Sequence, residues 1–155
     1  MKMRRSDKAM TPAEAWEYLK SRTVGRLGLA QGGLPYVVPV NYIVKNDHIY
    51  FHSAPVGKKI EWLRLNPRVC FEVDTFHGIE EADKACSFGT YYRSVIVEGT
   101  ARHLEDPDSK LEILDHLTRV HANGHSYSPP PLEQVERTAV IEIAIESLSG
   151  KKCLP

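Results

Sequence analysis

The sequence predicts a β-rich α+β fold: six mostly antiparallel strands rolled into a small closed or partly open barrel, with two or three helices at the connections. Three observations carry this reading. Six segments show strand periodicity or strand composition, two of the early ones are separated by two-residue turn signals, and two helical segments carry clear caps. The chain has 155 residues, 42% of them hydrophobic, which is enough for one domain with a real core and argues against disorder. No internal repeat or low-complexity tract divides it, so residues 1–155 read as a single domain behind a basic tail at 1–10.

The elements follow in order. "TPAEAWEYLKS" (11–21) is a helix: Thr11 caps, Pro12 suits the first helical position and Glu14 completes a capping box, with Trp16 and Leu19 as core anchors. "VGRLGLA" (24–30), "PYVVPVNYIV" (35–44) and "HIYFHS" (48–53) are strands joined by Gly32-Gly33 and Asn46-Asp47, which predicts an antiparallel meander. Pro39 cannot donate to a ladder, so it marks an edge or a bulge. "KKIEWLRL" (58–65) is a short helix resting on Ile60 and Leu63 and stopped by Asn66-Pro67. "RVCFEVD" (68–74) points Val69, Phe71 and Val73 inward, whereas residues 75–90 show no period and read as a long loop. "YYRSVIVEGTARHLE" (91–105) is a long strand with Gly99 at a bulge or bend. A second helix, "DPDSKLEILDHLTRVHA" (106–122), is capped by Asp106 or Asp108 and carries an apolar stripe at Leu111, Leu114, Leu117 and Val120. After the flexible "NGHSYSPPP", "TAVIEIAIES" (138–147) alternates Ile141, Ile143 and Ile145 with Glu142 and Glu146, a strand with one wet face.

Composition removes several functions. Twenty basic residues balance twenty acidic ones, which is against a protein built to grip nucleic acid, although Lys2, Arg4, Arg5 and Lys8 make the tail basic. The three cysteines are far apart with no C-x-x-C, so neither a disulfide framework nor a zinc ribbon is indicated, and reduced thiols in the cytoplasm are expected. No apolar stretch approaches the roughly 18 residues of a membrane span, and no secretory leader is recognisable. His116, His121 and His125 lack metal-ligand spacing and read as surface histidines, and neither a nucleophile elbow nor a nucleotide-binding glycine motif occurs.

One stretch stands out: "FHSAPVGKKIEWL" (51–63). Lys58 and Lys59 sit at a helix start, where the macrodipole disfavours cations. Either both ammonium groups reach into water, or an anion occupies the loop. Ser53 supplies a hydroxyl, Gly57 allows close backbone approach and the first helical N–H groups are free donors, which together make a phosphate cradle.

In the order "VGRLGL", "PYVVPVNY", "IYFHSAPVGKKIEWLRLNPRVCFEVD" and "YYRSVIVEGTARHLED", the chain resembles the FMN-binding split-barrel superfamily that includes pyridoxamine 5'-phosphate oxidase. Its nearest likeness is to the branch related to nitroimidazole-resistance proteins. The resemblance runs from about Arg4 to Lys152 and is most specific in "YFHSAPVGKKIEWLRLNPRVCFEVD" and "YRSVIVEG". It implies a six-stranded antiparallel split β-barrel. It also implies FMN phosphate contacts from Ser53, Lys58 and Lys59 at the Gly57 loop, and a flavin ring flanked by Val38, Pro39, Val40 and Asn41 on one strand and by His52 and Ala54 on the next. Asn41 offers donor and acceptor to a pyrimidine edge, the alternative being a polar residue facing water. His52 contacts flavin or substrate, or is a packed strand histidine.

The resemblance further implies a homodimer with flavin at the interface. Tyr92, Arg93 and Ser94 then come from the partner, and Arg93 places positive charge near the ring, unless it is in a strand salt bridge. The implied activity is electron transfer from a reduced donor, a nicotinamide being the candidate, to a small electron-poor acceptor such as a nitroaromatic. The alternative is a storage or sensor module holding flavin, deazaflavin or haem, with His52 as axial ligand. One departure counts against vitamin B6 oxidation. Pyridoxamine phosphate oxidases carry arginine and histidine near the C-terminus, where this chain has only Lys151 and Lys152.

Overall fold

Two primed hairpin turns set the first part of the sheet. In the computed structural model, which describes residues 4–155, Gly32 and Gly33 take φ of 57° and 79° between β1 (Val24–Gln31) and β2 (Leu34–Asn41). Asn46 and Asp47, at φ 48° and 60°, do the same between β3 (Ile43–Lys45) and β4 (His48–Ser53). Left-handed φ at both central positions matches the twist of the flanking strands, and glycine, asparagine and aspartate adopt it most readily. The expected single strand over 35–44 is therefore two strands broken at Tyr42, giving seven strands rather than six. Tyr42 is buried; its N–H donates to the Thr23 carbonyl at 2.9 Å and its hydroxyl to the Leu19 carbonyl at 2.5 Å. These bonds bend the chain, so that β2 pairs with β1 while β3 pairs with β4.

The sheet order is β2-β1-β5-β6-β7-β4-β3, antiparallel throughout. Its two edge strands are consecutive in the chain, with Tyr42 alone between them, so the curled sheet is closed there by covalent connection. Pro39 lies on edge strand β2 opposite Arg26, where its missing N–H costs no ladder bond.

The remaining strands are β5 (Arg68–Glu80), β6 (Gly89–His103) and β7 (Ala139–Cys153). Residues 75–80 and 89–90 thus continue the ladder and only 81–88 connect it, in contrast to the loop expected over 75–90. A register shift between Phe76 and Gly78 and the exposure of Phe76 and Ile79 explain why this part shows no alternation: it leaves the barrel and buries neither face. Inside the barrel Val69, Phe71 and Val73 pack with Leu27, Val95, Val97, Ile141 and Ile143. Each side chain of this size contributes about 1.5–3 kcal/mol when fully buried. Gly99 does sit at a bulge: the β6–β7 register shifts beside it, and a Cβ there would meet the Ala144 carbonyl oxygen at 2.3 Å.

The capping box of α1 (Pro12–Lys20) is formed as expected, the Glu14 N–H donating to the Thr11 hydroxyl at 3.3 Å and the Thr11 N–H to the Glu14 carboxylate at 2.8 Å. Leu19 is buried with Ala15 and Tyr18, whereas Trp16 is half-buried. Helix α2 (Lys58–Leu65) buries Ile60 and Leu63. Helix α3 (Pro107–His121) is capped by Asp106, which accepts from the Ser109 N–H at 2.9 Å. Its buried face is Lys110, Ile113 and Leu117, while Leu111 and Val120 are exposed; the expected stripe is rotated because α3 lies on Ile43, Tyr50 and Val140. A fourth helix, α4 (Leu132–Arg137), follows the proline loop and buries Val135. Because α3 roofs this face of β4 and β7, Glu142 is buried rather than wet. It accepts from Arg102 at 2.9 and 3.1 Å and lies 3.4 Å from the His48 ring. In the basic tail, Arg5 pairs with Asp7 at 2.6 Å; Lys2 lies outside the described residues.

Candidate functional site

The loop between β4 and α2 positions the two adjacent lysines. Gly57 occupies the cap position with φ of 115°, which a side chain rarely adopts, and no side chain caps α2. The first N–H groups of α2 are thus without a side-chain acceptor. From this start the lysines diverge. The Lys58 ammonium stands 4.5 Å from the ring centroids of both Tyr36 and Trp62, which meet edge-to-face at 5.7 Å. Lys59 turns the other way, over the Phe51 ring at 5.4 Å, and is half-buried. Burial alone lowers its pKa, because no carboxylate lies close enough to offset it among the described residues.

Lys59 and His52 line an open groove of about 320 Å³ together with Pro39, Val40 and Asn41 of β2 and with Val24, the β1 partner of Asn41. The ends of β2 and β4 meet here because the chain bends at Tyr42 and then turns back at Asn46-Asp47. Ser53, Ala54 and Gly57 continue from His52 toward α2, and Val38 precedes Pro39, but none of them lines the groove; neither does Lys58. Tyr92, Arg93 and Ser94 are half-buried on β6, opposite Phe76, Thr75 and Asp74. Arg93 lines a different cavity, of about 520 Å³, with Glu17, Tyr18 and Lys152. Within one chain these three residues and the groove are separate.

A second pocket, of about 340 Å³, opens from the same Asn41 and His52. Leu114 and Leu117 of α3 and Val135 of α4 form its apolar walls, and His121 and Gln134 add polar groups. The Nε2 of His121 is buried and has no hydrogen-bond partner. Burial, then Lys59, then His121 lower the pKa of His52, which favours its neutral form. Sequence reasoning placed His121 on the surface. The available signal was its spacing, since His121 falls four residues after Leu117 on the face of α3 that turns inward.

The model of the pyridoxamine 5'-phosphate oxidase family matches residues 11–152. The chain belongs to this family. Among solved structures, an FAD-binding protein of Mesorhizobium loti is 33% identical, with TM-score 0.70 over 94% of this chain and 97% of that one. A candidate 5-nitroimidazole antibiotic resistance protein of Bacteroides thetaiotaomicron is 26% identical, with TM-score 0.77 over 92% and 85%. The flavocytochrome Anf3 of Azotobacter vinelandii shares the fold at TM-score 0.88 over 99% and 73%, with 23% identity. An uncharacterized protein of Rhizobium meliloti (strain 1021) is 28% identical over 115 residues, which cover 74% of this chain and 66% of that protein, just under two thirds of its length.

The curled antiparallel sheet with its flanking helices is the split barrel that these solved structures share. At the C-terminal end of the family match, Lys152 is engaged by Glu14 of α1, so this lysine is tied down by a carboxylate. No helix among the described residues is long and apolar enough to cross a membrane.

Proposed function

We propose that this chain binds a flavin in the groove beside Lys59 and works as an oxidoreductase, moving electrons from a reduced donor of the nicotinamide class to a small electron-poor acceptor such as a nitroaromatic. The observation that carries this reading is Lys59: a half-buried cation with no carboxylate partner among the described residues, aimed into a groove beside an uncapped helix start. Burying a charge without a partner is unfavourable, and a dianionic phosphate from the ligand supplies that partner. FMN meets this need with a terminal phosphate. FAD, which the Mesorhizobium loti relative binds by name, meets it with a pyrophosphate and asks for further room for its adenylyl part.

The residues present fit such a group. Ser53 and the first α2 N–H groups extend the phosphate site from Lys59, and Lys58 reaches it by leaving the Tyr36 and Trp62 rings. Pro39 presents no N–H, and Asn41, exposed at the groove, offers both a donor and an acceptor to a ring edge. When bound, the flavin supplies the electron transfer itself; the protein supplies anchoring, orientation and local charge. Arg93 serves the groove of a partner subunit in a homodimer, which accounts for its distance from the groove of its own chain. The test is the visible spectrum of the purified protein, with the released ligand identified by mass and the oligomer sized by light scattering. A yellow dimer releasing FMN or FAD supports the proposal. A colourless protein that takes up neither on addition overturns it.

A second reading is a non-enzymatic module holding flavin or haem. It is favoured by one observation: the exposed His52 lines both the groove and the neighbouring pocket, where an imidazole can reach a ligand's iron. Under this reading His52→Ala abolishes a Soret band while leaving flavin uptake intact. Loss of flavin instead assigns His52 to the flavin.

A further inference from the structure

The pocket beneath α3 and α4 has no role in anchoring a phosphate, yet it opens on the same two side chains as the groove, Asn41 and His52. Its lining contains no Asp, Glu, Lys or Arg among the described residues. A cation therefore finds no counter-charge there, and a phosphate finds none without moving over to Lys59 in the groove. The walls of Leu114, Leu117 and Val135 offer hydrocarbon contact on two sides. The two threonine hydroxyls in the lining are committed as donors to their own helices, Thr118 to the Leu114 carbonyl at 2.8 Å and Thr138 to the Gln134 carbonyl at 2.7 Å. Asn41, His52 and Gln134 are exposed and meet water, which leaves the buried Nε2 of His121, without a partner, as the polar atom that gains most from a ligand. The volume lies at the small end of ligand pockets, which suits one or two fused rings.

We propose that this pocket binds a flat, uncharged aromatic molecule of one or two fused rings, carrying an oxygen that accepts a hydrogen bond from His121. As an acceptor subsite it rests on the flavin reading above, because the groove ligand and this molecule would meet across Asn41 and His52. Its ligand class does not depend on that reading. His121 is then a specificity residue: it selects molecules with a carbonyl or similar oxygen over the bare hydrocarbon of the same shape. The unpartnered imidazole is the cost of the empty site and the source of the selection.

The probe is menadione, a neutral naphthoquinone, with 2-methylnaphthalene as its oxygen-free counterpart, titrated calorimetrically into the full chain before and after loading with flavin. The wild-type protein is expected to bind menadione at least tenfold more tightly than 2-methylnaphthalene. His121→Phe should erase that preference and His121→Gln, which restores an N–H, should recover most of it. Leu114→Trp should block both molecules, with circular dichroism confirming that each variant is folded. Flavin loading without any menadione binding, or with binding indifferent to His121 and Leu114, overturns the proposal. So does binding of AMP in preference to menadione, which assigns the pocket to the adenylyl part of a longer cofactor. A chain that takes up no flavin but binds menadione through His121 keeps the ligand class and overturns the acceptor role together with the flavin reading.

Discussion

The two cavities that meet at Asn41 and His52 are built in opposite ways. The groove is made by one span of sequence, from Val24 to Lys59, folded by the Gly32-Gly33 and Asn46-Asp47 turns and bent at Tyr42, and its main resource is a cation. The pocket is made by bringing α3 and α4, some sixty to eighty residues further on, over the ends of the same two strands, and its lining is uncharged, with apolar walls and two imidazoles. A charge and unpaired N–H groups hold an anion through directional bonds, whereas hydrocarbon walls hold whatever is flat and dry. The neighbouring ends of β2 and β4 thus serve two kinds of recognition because different elements adjoin them.

The largest effect should come from removing what the two sites share. Tyr42→Ala takes out a fully buried ring that packs edge-to-face on Phe71 at 4.9 Å and ties β2 and β3 to α1. The expected loss is about 3–5 kcal/mol in urea unfolding, as for other buried aromatics. Flavin uptake and menadione binding should fall together. A variant of wild-type stability that loses only one of them would show that the Tyr42 bend does not set both sites.

Next in size is a change that separates the sites. Lys59→Gln should weaken flavin binding about tenfold to a hundredfold, the worth of a hydrogen bond to a charged group, and leave menadione affinity as it is. Lys58→Gln should weaken flavin binding less than Lys59→Gln. Its other effect is loss of the contact with Tyr36 and Trp62, about 0.5–1 kcal/mol of stability. Fluorescence titration of both variants decides the order. If Lys58→Gln is the more damaging, then Lys58 rather than Lys59 is the main phosphate anchor.

The same contrast explains what could be read from the sequence. Local chemistry was legible: the Gly32-Gly33 and Asn46-Asp47 turns, the Thr11 capping box and the Gly99 bulge each depend on residues within a few positions. Most of the groove was named for the same reason, Pro39, Val40, Asn41, His52 and Lys59 lying in two quotable stretches, although Val24 was not. What failed was whatever depends on a distant cover. The β5–β6 extension has no periodic face because nothing covers it. Glu142 is buried and the α3 stripe rotated because these two elements cover each other. His121 reads as a surface histidine until α4 and the proline loop are in place.

The smallest expected effect concerns the shared wall itself. The environment of His52, burial first and then Lys59 and His121, holds its pKa below the ordinary imidazole value near 6.5. As pH falls through about 6.5, the unfolded chain takes up this proton before the folded one does, so stability is full above that value and declines as pH drops toward the folded pKa. His52 is nonetheless an exposed residue, so solvent screens the effect and keeps the slope shallow. His103, whose pKa burial also lowers, contributes in the same direction and window. Urea midpoints measured from pH 7.5 to 5 should therefore fall for the wild type and fall less steeply for His52→Gln, with the His103 share remaining. Filling the groove with flavin should steepen or flatten the His52 share according to whether the bound phosphate draws Lys59 away from the imidazole or fixes it nearby. If His52→Gln leaves the slope unchanged, the imidazole is not held neutral by its surroundings, and what joins the two cavities is only the shape of the strand.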